Sequence, residues 1–374
     1  MYAAENHIQL LKNNLSNEVW ESGCEWVWQQ IFPLSMDLTG KHSNQTLQTQ
    51  KKWSSINTMD PAYDQYEKAR EFYRTHEYLA WIGEDESDEE TIRSASEEAL
   101  DQSENANSPA NTDSASAKIS DQPVIYPMQQ LMDYDFLMKH FYNVHTSTTA
   151  DRELMNAKNL LSKDLTLEKE DAPQILIYHT HSQESYKNSK KDENVVAVGQ
   201  KLTDLLTEKG WNVYHDTTVY DLAGGKLDRS RAYTYALEGI NEILARYPSI
   251  QVVLDIHRDG VGENVYLKTE IGGQPSARIM FFNGLSQTPE GPISYLANPF
   301  REDNLAFSLK LQLKAEEYYP GFTRKIYLKG LRYNQHLRAR SALVEVGAQT
   351  NTFEEACNAM MPLAELLDMV LQGK

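Results

Sequence analysis

The sequence predicts an α/β fold, a mostly parallel twisted sheet flanked by helices, with additional helical or irregular material at the amino end. Two observations predict it. From Ala172 onward, short apolar runs alternate with longer stretches of helical period, the rhythm of strands joined by crossover helices. The runs Ile175–Tyr178, Val252–Ile256 and Ala342–Val346 are almost continuously apolar, as expected of strands covered on both faces.

The elements follow in order. After Ile175–Tyr178 and a loop, residues 194–209 carry Val195, Val198, Leu202, Leu205 and Leu206 as one helical stripe. Gly210 stops that helix, and 211–215 is the next strand. A helix over 228–246 leads through Pro248 to a strand over 250–256. A longer excursion precedes a strand at 277–282, a helix at 304–318, a strand at 341–346 and a last helix at 353–371. The pairs Gly224-Gly225 and Gly272-Gly273 lack a phosphate-binding frame and mark turns or mobile loops.

Three regions are expected. Residues 1–83 are helical and aromatic-rich, with Trp20, Trp26 and Trp28 in one stretch that Pro33 ends. Such a stretch suits burial against neighbouring helices more than a partner or a membrane edge. Residues 84–121 are acidic and then rich in Ser, Ala, Asn, Thr and Asp, with no apolar period, so they read as a disordered linker. A globular domain over 122–374 follows, its opening section 128–166 expected as strands or a small cap.

The chain has 374 residues, 40% of them hydrophobic, and a net charge of -18. No basic cluster is present to neutralise a row of phosphates, which argues against nucleic acid as a partner. Only Cys24 and Cys357 occur, giving neither a disulfide framework nor a CxxC metal site. No run of about 18 apolar residues marks a membrane span.

Three strand-end runs carry the chemistry: His179-Thr-His181-Ser-Gln-Glu184, Asp255-Ile-His257-Arg-Asp259, and Glu345 inside Ala342-Leu-Val-Glu-Val-Gly347. Ligands in open α/β folds gather at the carboxyl ends of strands. Two imidazoles and a carboxylate are the ligand set of a catalytic zinc site that keeps one position for water. His181, Glu184 and His257 are the candidate Zn2+ ligands. Glu345 interrupts an apolar strand, where an isolated charge is costly, and is the candidate proton carrier. His179 is either a supporting residue or an alternative ligand. Asp255, Arg258 and Asp259 are placed to orient His257 or to bind a peptide carboxylate, and Asn334 belongs to an Arg332–Gln335 run offering donors to substrate. The pair His215-Asp216 lacks a convincing nucleophile, so a serine triad is the weaker reading. A common zinc site requires the imidazoles of 181 and 257 to lie within about 8 Å of each other.

These runs resemble the stage II sporulation protein P family of endospore-forming Firmicutes, across about residues 128 to 371. The resemblance is carried by Ile177–Tyr186, Asn194–Gly199, His215–Thr218, Tyr247–Ile250, Leu254–Asp259, Arg332–Gln335 and Leu343–Ala348. It implies an amidase-like fold and a Zn2+-dependent N-acetylmuramoyl-L-alanine amidase and endopeptidase. Such an enzyme would act on peptidoglycan during forespore engulfment, with stage II sporulation protein D and other engulfment proteins as partners. It places the ligand histidines on His181 and His257 and the catalytic glutamate on Glu345. For the carboxylate ligand it leaves Glu184, with Glu193 as the alternative just before a helix. It also implies the extracytoplasmic side of the membrane at the mother cell-forespore septum, with membrane association through a segment absent from this chain. The rival from another class is a non-enzymatic scaffold of an engulfment complex.

Overall fold

A computed structural model describes residues 123–374, except 224 and 225. The expected helical region 1–83, the acidic linker 84–121 and the Gly224-Gly225 pair therefore lie outside the described residues.

The chain enters through α1 (Met128–Leu131) and α2 (Tyr134–Phe141), the latter capped by Asp133, whose side chain accepts from the Phe136 amide. Strand β1 (Tyr142–Val144), α3 (Ala157–Ser162) and β2 (Ile175–Tyr178) follow. The section 128–166 thus carries three short helices and one strand, which forms an edge of the main sheet. Tyr134, Leu137 and Phe141 sit at helical spacing, which the short length of the segment obscures.

Helix α4 (Val195–Glu208) is capped by Asn194, whose side-chain oxygen accepts from the amides of Val196 and Ala197. Strand β3 (Val213–His215) and the two-residue strands β4 (Leu222–Ala223) and β5 (Lys226–Leu227) lead to α5 (Arg229–Arg246). Strand β6 (Val252–Asp259) runs three residues beyond the expected end. The excursion after it is a hairpin of β7 (Lys268–Ile271) and β8 (Gln274–Ala277). Its two-residue turn is Gly272-Gly273, with φ of 58° and 78°, the left-handed geometry that tight hairpins demand and glycine supplies.

Strand β9 (Ile279–Gly284), the small pair β10 (Gln287–Thr288) and β11 (Gly291–Pro292), and α6 (Arg301–Tyr318) come next. Asn304 through Leu309 are all buried, so that stretch of α6 is enclosed on all sides. After β12 (Ile326–Lys329) and β13 (Arg340–Ala348), the expected last helix is two, α7 (Phe353–Asn358) and α8 (Met360–Gln372). Pro362 has no N–H to return to the Asn358 carbonyl, which breaks the continuous helix there.

The main sheet has the order β1-β12-β9-β13-β6-β2-β3. Every neighbouring pair is parallel except β9 with β13. The fold is the expected mostly parallel α/β arrangement, with one antiparallel junction that turns its two halves in opposite directions. The carboxyl ends of β2, β6 and β13 consequently share one edge. One face of the sheet buries Ile175, Ile177, Val252, Leu254, Ile256, Val344 and Val346 together with residues of α4, α6 and α8. The other face buries Leu176, Tyr178 and Val253 with Ala236 and Ile240 of α5.

At the carboxyl end of β13 the register with β6 shifts between Glu345 and Ala348. Gly347 takes the extra residue at φ 62°, and a Cβ there would lie 2.7 Å from Asn351 Oδ1. A glycine in a left-handed bulge with no room for a side chain is required twice over. Gly347→Ala is expected to lower unfolding free energy by about 1–3 kcal/mol in urea denaturation. An unchanged midpoint would remove the bulge from the account.

Candidate active site

Strand pairing brings the candidate residues together. Glu345 of β13 is the register partner of His257 of β6, and Tyr178 of β2 that of Asp255. Alternation along β6 puts Asp255 and His257 on the same face as Val253, the face that α5 covers. The imidazoles of His181 and His257 lie 5.2 Å apart between ring centroids, at 86°. The proximity that a shared site requires is present.

The His179–Glu184 loop is pinned by two buried aspartates. Asp255 accepts from the Thr180 amide at 2.9 Å and from its hydroxyl at 2.6 Å. Asp221 accepts from the Ser182 hydroxyl at 2.7 Å and the Gln183 amide at 3.1 Å. The turn closes where the Glu184 amide donates to the His181 carbonyl at 3.2 Å. These bonds aim His181 and Glu184 back toward β6. Glu184 is 3% exposed; it accepts from Arg229 Nη2 at 2.7 Å and from the Arg258 amide at 3.0 Å, and its Oε2 lies 3.5 Å from His257 Nδ1.

Glu193 goes elsewhere. Its carboxylate accepts from Lys190 Nζ at 2.8 Å and from the Lys190 amide at 2.9 Å, a local pair just before α4. His179 also turns away, onto the opposite face of the sheet. Its Nδ1 donates to the Ile256 carbonyl at 3.0 Å and its Nε2 meets His215 Nε2 at 2.9 Å. The ring fills the space beside Gly199, where a Cβ would stand 2.5 Å from His179 Cε1. His215 thus partners His179 and Gln200, while Asp216 accepts from Thr218 and Tyr220. The two neighbours in sequence form no dyad.

Of the remaining sequence candidates, the Arg258 side chain donates to the carbonyls of Ser185 and Asp259. Asp259 pairs with Arg324 at 2.5 Å. Asn334 donates to the Tyr233 carbonyl at 2.9 Å. All three brace the walls of the site. Sequence reasoning missed Asp221, Arg229, Tyr233 and Arg324, which sit far from the motifs in the chain and carry no spacing that marks them.

The titratable groups of the cluster shift one another strongly. Burial alone would lower the His257 pKa, but Asp255 and Glu184 flank the ring and hold it well above the ordinary imidazole value. His257 Nε2 stands 2.8 Å from Asp255 Oδ1, an ion pair sealed in the interior. Burial, with Arg229 and His257 nearby, pushes His181 down to about 3, leaving it a neutral donor-ready ring. Burial works against ionised Glu184, yet His257, His181 and Arg229 outweigh it and keep the carboxyl well below its usual range.

Two buried polar atoms in this cluster, His181 Nδ1 and Glu345 Oε2, have no hydrogen-bond partner, while His257 Nε2 faces only the Asp255 carboxylate. Such orphans are uncommon in a folded interior and mark an unmet ligand or a functional role. Among the described residues no group of three or more His, Cys, Asp or Glu is arranged to hold a metal. The donor types nevertheless fit a divalent ion, with two imidazoles and a buried carboxylate converging beside a further carboxylate.

A family model described as Stage II sporulation protein P matches residues 42–368. The chain belongs to the stage II sporulation protein P family. The match starts well before Met128, so the family likeness reaches further toward the amino end than the motifs suggest. The stage II sporulation protein P of Bacillus subtilis (strain 168) is 28% identical over 214 residues, covering 52% of this chain and 50% of that protein. The aligned part is thus about half of each. Among solved structures, the CwlD amidase from Clostridioides difficile in complex with the GerS lipoprotein covers 52% of this chain and 99% of its own, at 16% identity and a TM-score of 0.34. The N-acetylmuramyl-L-alanine amidase Ami1 from Mycobacterium smegmatis covers 54% and 99%, at 12% identity and a TM-score of 0.29. Both scores are low.

Burial, with Asp259 and Glu184 close by, pushes the Glu345 carboxyl up from 4.5 to about 8. Between those values the folded chain keeps a proton that the unfolded chain has released, so stability falls as pH rises. Glu345→Gln removes that slope. In chelator-treated protein the variant is expected to be the more stable, with its advantage in urea unfolding widening from about pH 5 to about pH 8. An advantage that does not change with pH contradicts a neutral, buried Glu345.

Proposed function

We propose that this protein is a peptidoglycan hydrolase that cleaves the muramoyl-L-alanine amide and peptide crosslinks, with Zn2+ held by His181, Glu184 and His257. One observation carries the reading. A buried carboxylate with an orphaned oxygen, Glu345 Oε2, stands on the strand next to His257, in the cluster that contains Glu184 and the unpartnered nitrogen of His181. A protein with no use for that arrangement would gain stability by losing it.

Zinc, when bound, supplies a Lewis acid that acidifies water and polarises the scissile carbonyl. Glu345 takes the proton of the attacking water and returns it to the leaving amine. A divalent cation beside Glu345 favours its ionised form, offsetting the burial that otherwise keeps it protonated. Asp255 orients His257, and the Thr180 and Asp221 contacts hold the loop that presents His181 and Glu184. Glu184 supports the ligand role better than Glu193, because it is sealed beside His257 while Glu193 is spent on Lys190.

Family membership supports a place in sporulation: action during forespore engulfment, on the extracytoplasmic side of the mother cell-forespore septum, with stage II sporulation protein D and other engulfment proteins. Among the described residues no helix is long and apolar enough to cross a membrane. Membrane association would use a segment other than those helices.

The test is incubation of the full chain with purified peptidoglycan, with zinc, with chelator, and with zinc restored, followed by mass analysis of the products. Free stem peptides report amidase action and split crosslinks report endopeptidase action. Chelation is expected to abolish both and zinc to restore them. Glu345→Gln is expected to lower kcat by about 100- to 10,000-fold with folding preserved. Cleavage that survives thorough chelation would overturn the zinc reading, and a parent chain that releases no product would leave the scaffold role in its place.

A further inference from the structure

The side chain that touches both candidate ligand imidazoles belongs to neither motif. Tyr233, on the second turn of α5, meets His181 edge-to-face with centroids 5.5 Å apart at 87°. It lies nearly parallel to His257 at 6.4 Å and 9°. The ring is 6% exposed. One rigid aromatic thus fixes the relative tilt of two imidazoles that arrive from different parts of the chain.

Tyr233 is in turn held by a strained turn. Tyr333 and Asn334 have φ of 49° and 55°, two consecutive non-glycine residues in the left-handed region. Side chains there are unfavourable, and such strain persists only where surrounding contacts over-determine it. Both residues reach Tyr233, although the Tyr333 ring also packs on Phe282 at 4.6 Å and 78°. The Tyr333 ring packs against Tyr233 at 5.5 Å and 78°, and Asn334 Nδ2 donates to the Tyr233 carbonyl at 2.9 Å. The turn is seated against β9 at Gly284, where a Cβ would meet the Tyr333 ring at 2.8 Å.

We propose that Tyr233 is a positioning residue of the metal site, setting the angle between His181 and His257, and that the left-handed Tyr333–Asn334 turn helps to hold it there, chiefly through the Asn334 tether. This rests on the reading of His181 and His257 as ligands. It makes the aromatic ring the important part of Tyr233, since ring contacts are what the imidazoles share.

The experiment is titration of the full chain with cobalt(II), whose visible absorption bands report ligand geometry, alongside zinc affinity measured by competition. Tyr233→Phe keeps the ring and is expected to bind within about twofold of the parent with the same bands. Tyr233→Leu is expected to bind at least about 10-fold more weakly, the scale seen when supports of ligand residues are removed, with altered bands. Asn334→Gly tolerates the left-handed backbone but loses the tether, and is expected to fold normally and weaken binding several-fold. Parent affinity and parent bands in both Tyr233→Leu and Asn334→Gly would overturn the proposal. If Tyr233→Leu fails to fold, Asn334→Gly decides alone, and parent bands there overturn it. A parent chain that binds neither metal overturns the zinc reading and this inference together. A parent that binds metal but cleaves no peptidoglycan sinks the hydrolase reading, while the cobalt bands still decide the role of Tyr233.

Discussion

The site depends on the parallel pairing of β6 with β13 in a register that sets Glu345 opposite His257. Side chains alternate across a strand, so a slip of one residue would carry Glu345 to the other face and bury it among Val344 and Val346's neighbours. The same alternation puts Asp255 and His257 on one face and Leu254 and Ile256 in the core on the other. The apolar residues of these strands therefore fix where the polar ones point. Register is set by burying the first group, and the second inherits its geometry.

That geometry concentrates negative charge. Glu184, Asp255, Asp259 and Glu345 all meet within the ends of three strands and one loop, against His257, Arg229 and Arg324. Buried carboxylates are tolerated only where cations or donors compensate them. The structure satisfies Asp255 with Thr180, Glu184 with Arg229 and Asp259 with Arg324, and leaves Glu345 to accept a proton. Asp255 and Glu184 together hold His257 well above the ordinary imidazole value, so the ring itself answers part of that charge. The antiparallel junction of β9 with β13 contributes by bringing the amino end of β9 to this edge, so that Met280 faces Glu345 in register.

Much of this was legible in the sequence, for physical reasons. A histidine just past an apolar run, or a glutamate inside one, conflicts with its surroundings, and such conflicts mark function. His181, Glu184, His257 and Glu345 were visible in that way, and so were the alternating strands and helices. Faces were less legible. Nothing in Ile177-Tyr178-His179 says that His179 points toward Gly199 while His181 returns to the other side. Tertiary supports were not legible at all. Tyr233 is an ordinary residue of a helix stripe, Asp221 and Arg324 are single charges in loops, and the left-handed backbone at Tyr333 leaves no mark in residue type, although Asn334 beside it is a residue that tolerates that region. The strand β12 and the antiparallel β9–β13 pair escaped for the same reason, since strand direction follows from connections across the whole sheet.

X-ray absorption at the zinc edge of the full chain loaded with one equivalent of metal tests the central claim most directly. The account predicts two imidazole nitrogens and oxygen donors at about 2.0–2.2 Å, and the loss of one imidazole from that shell in His257→Ala. A shell without imidazole, or one that His257→Ala leaves unchanged, would contradict it.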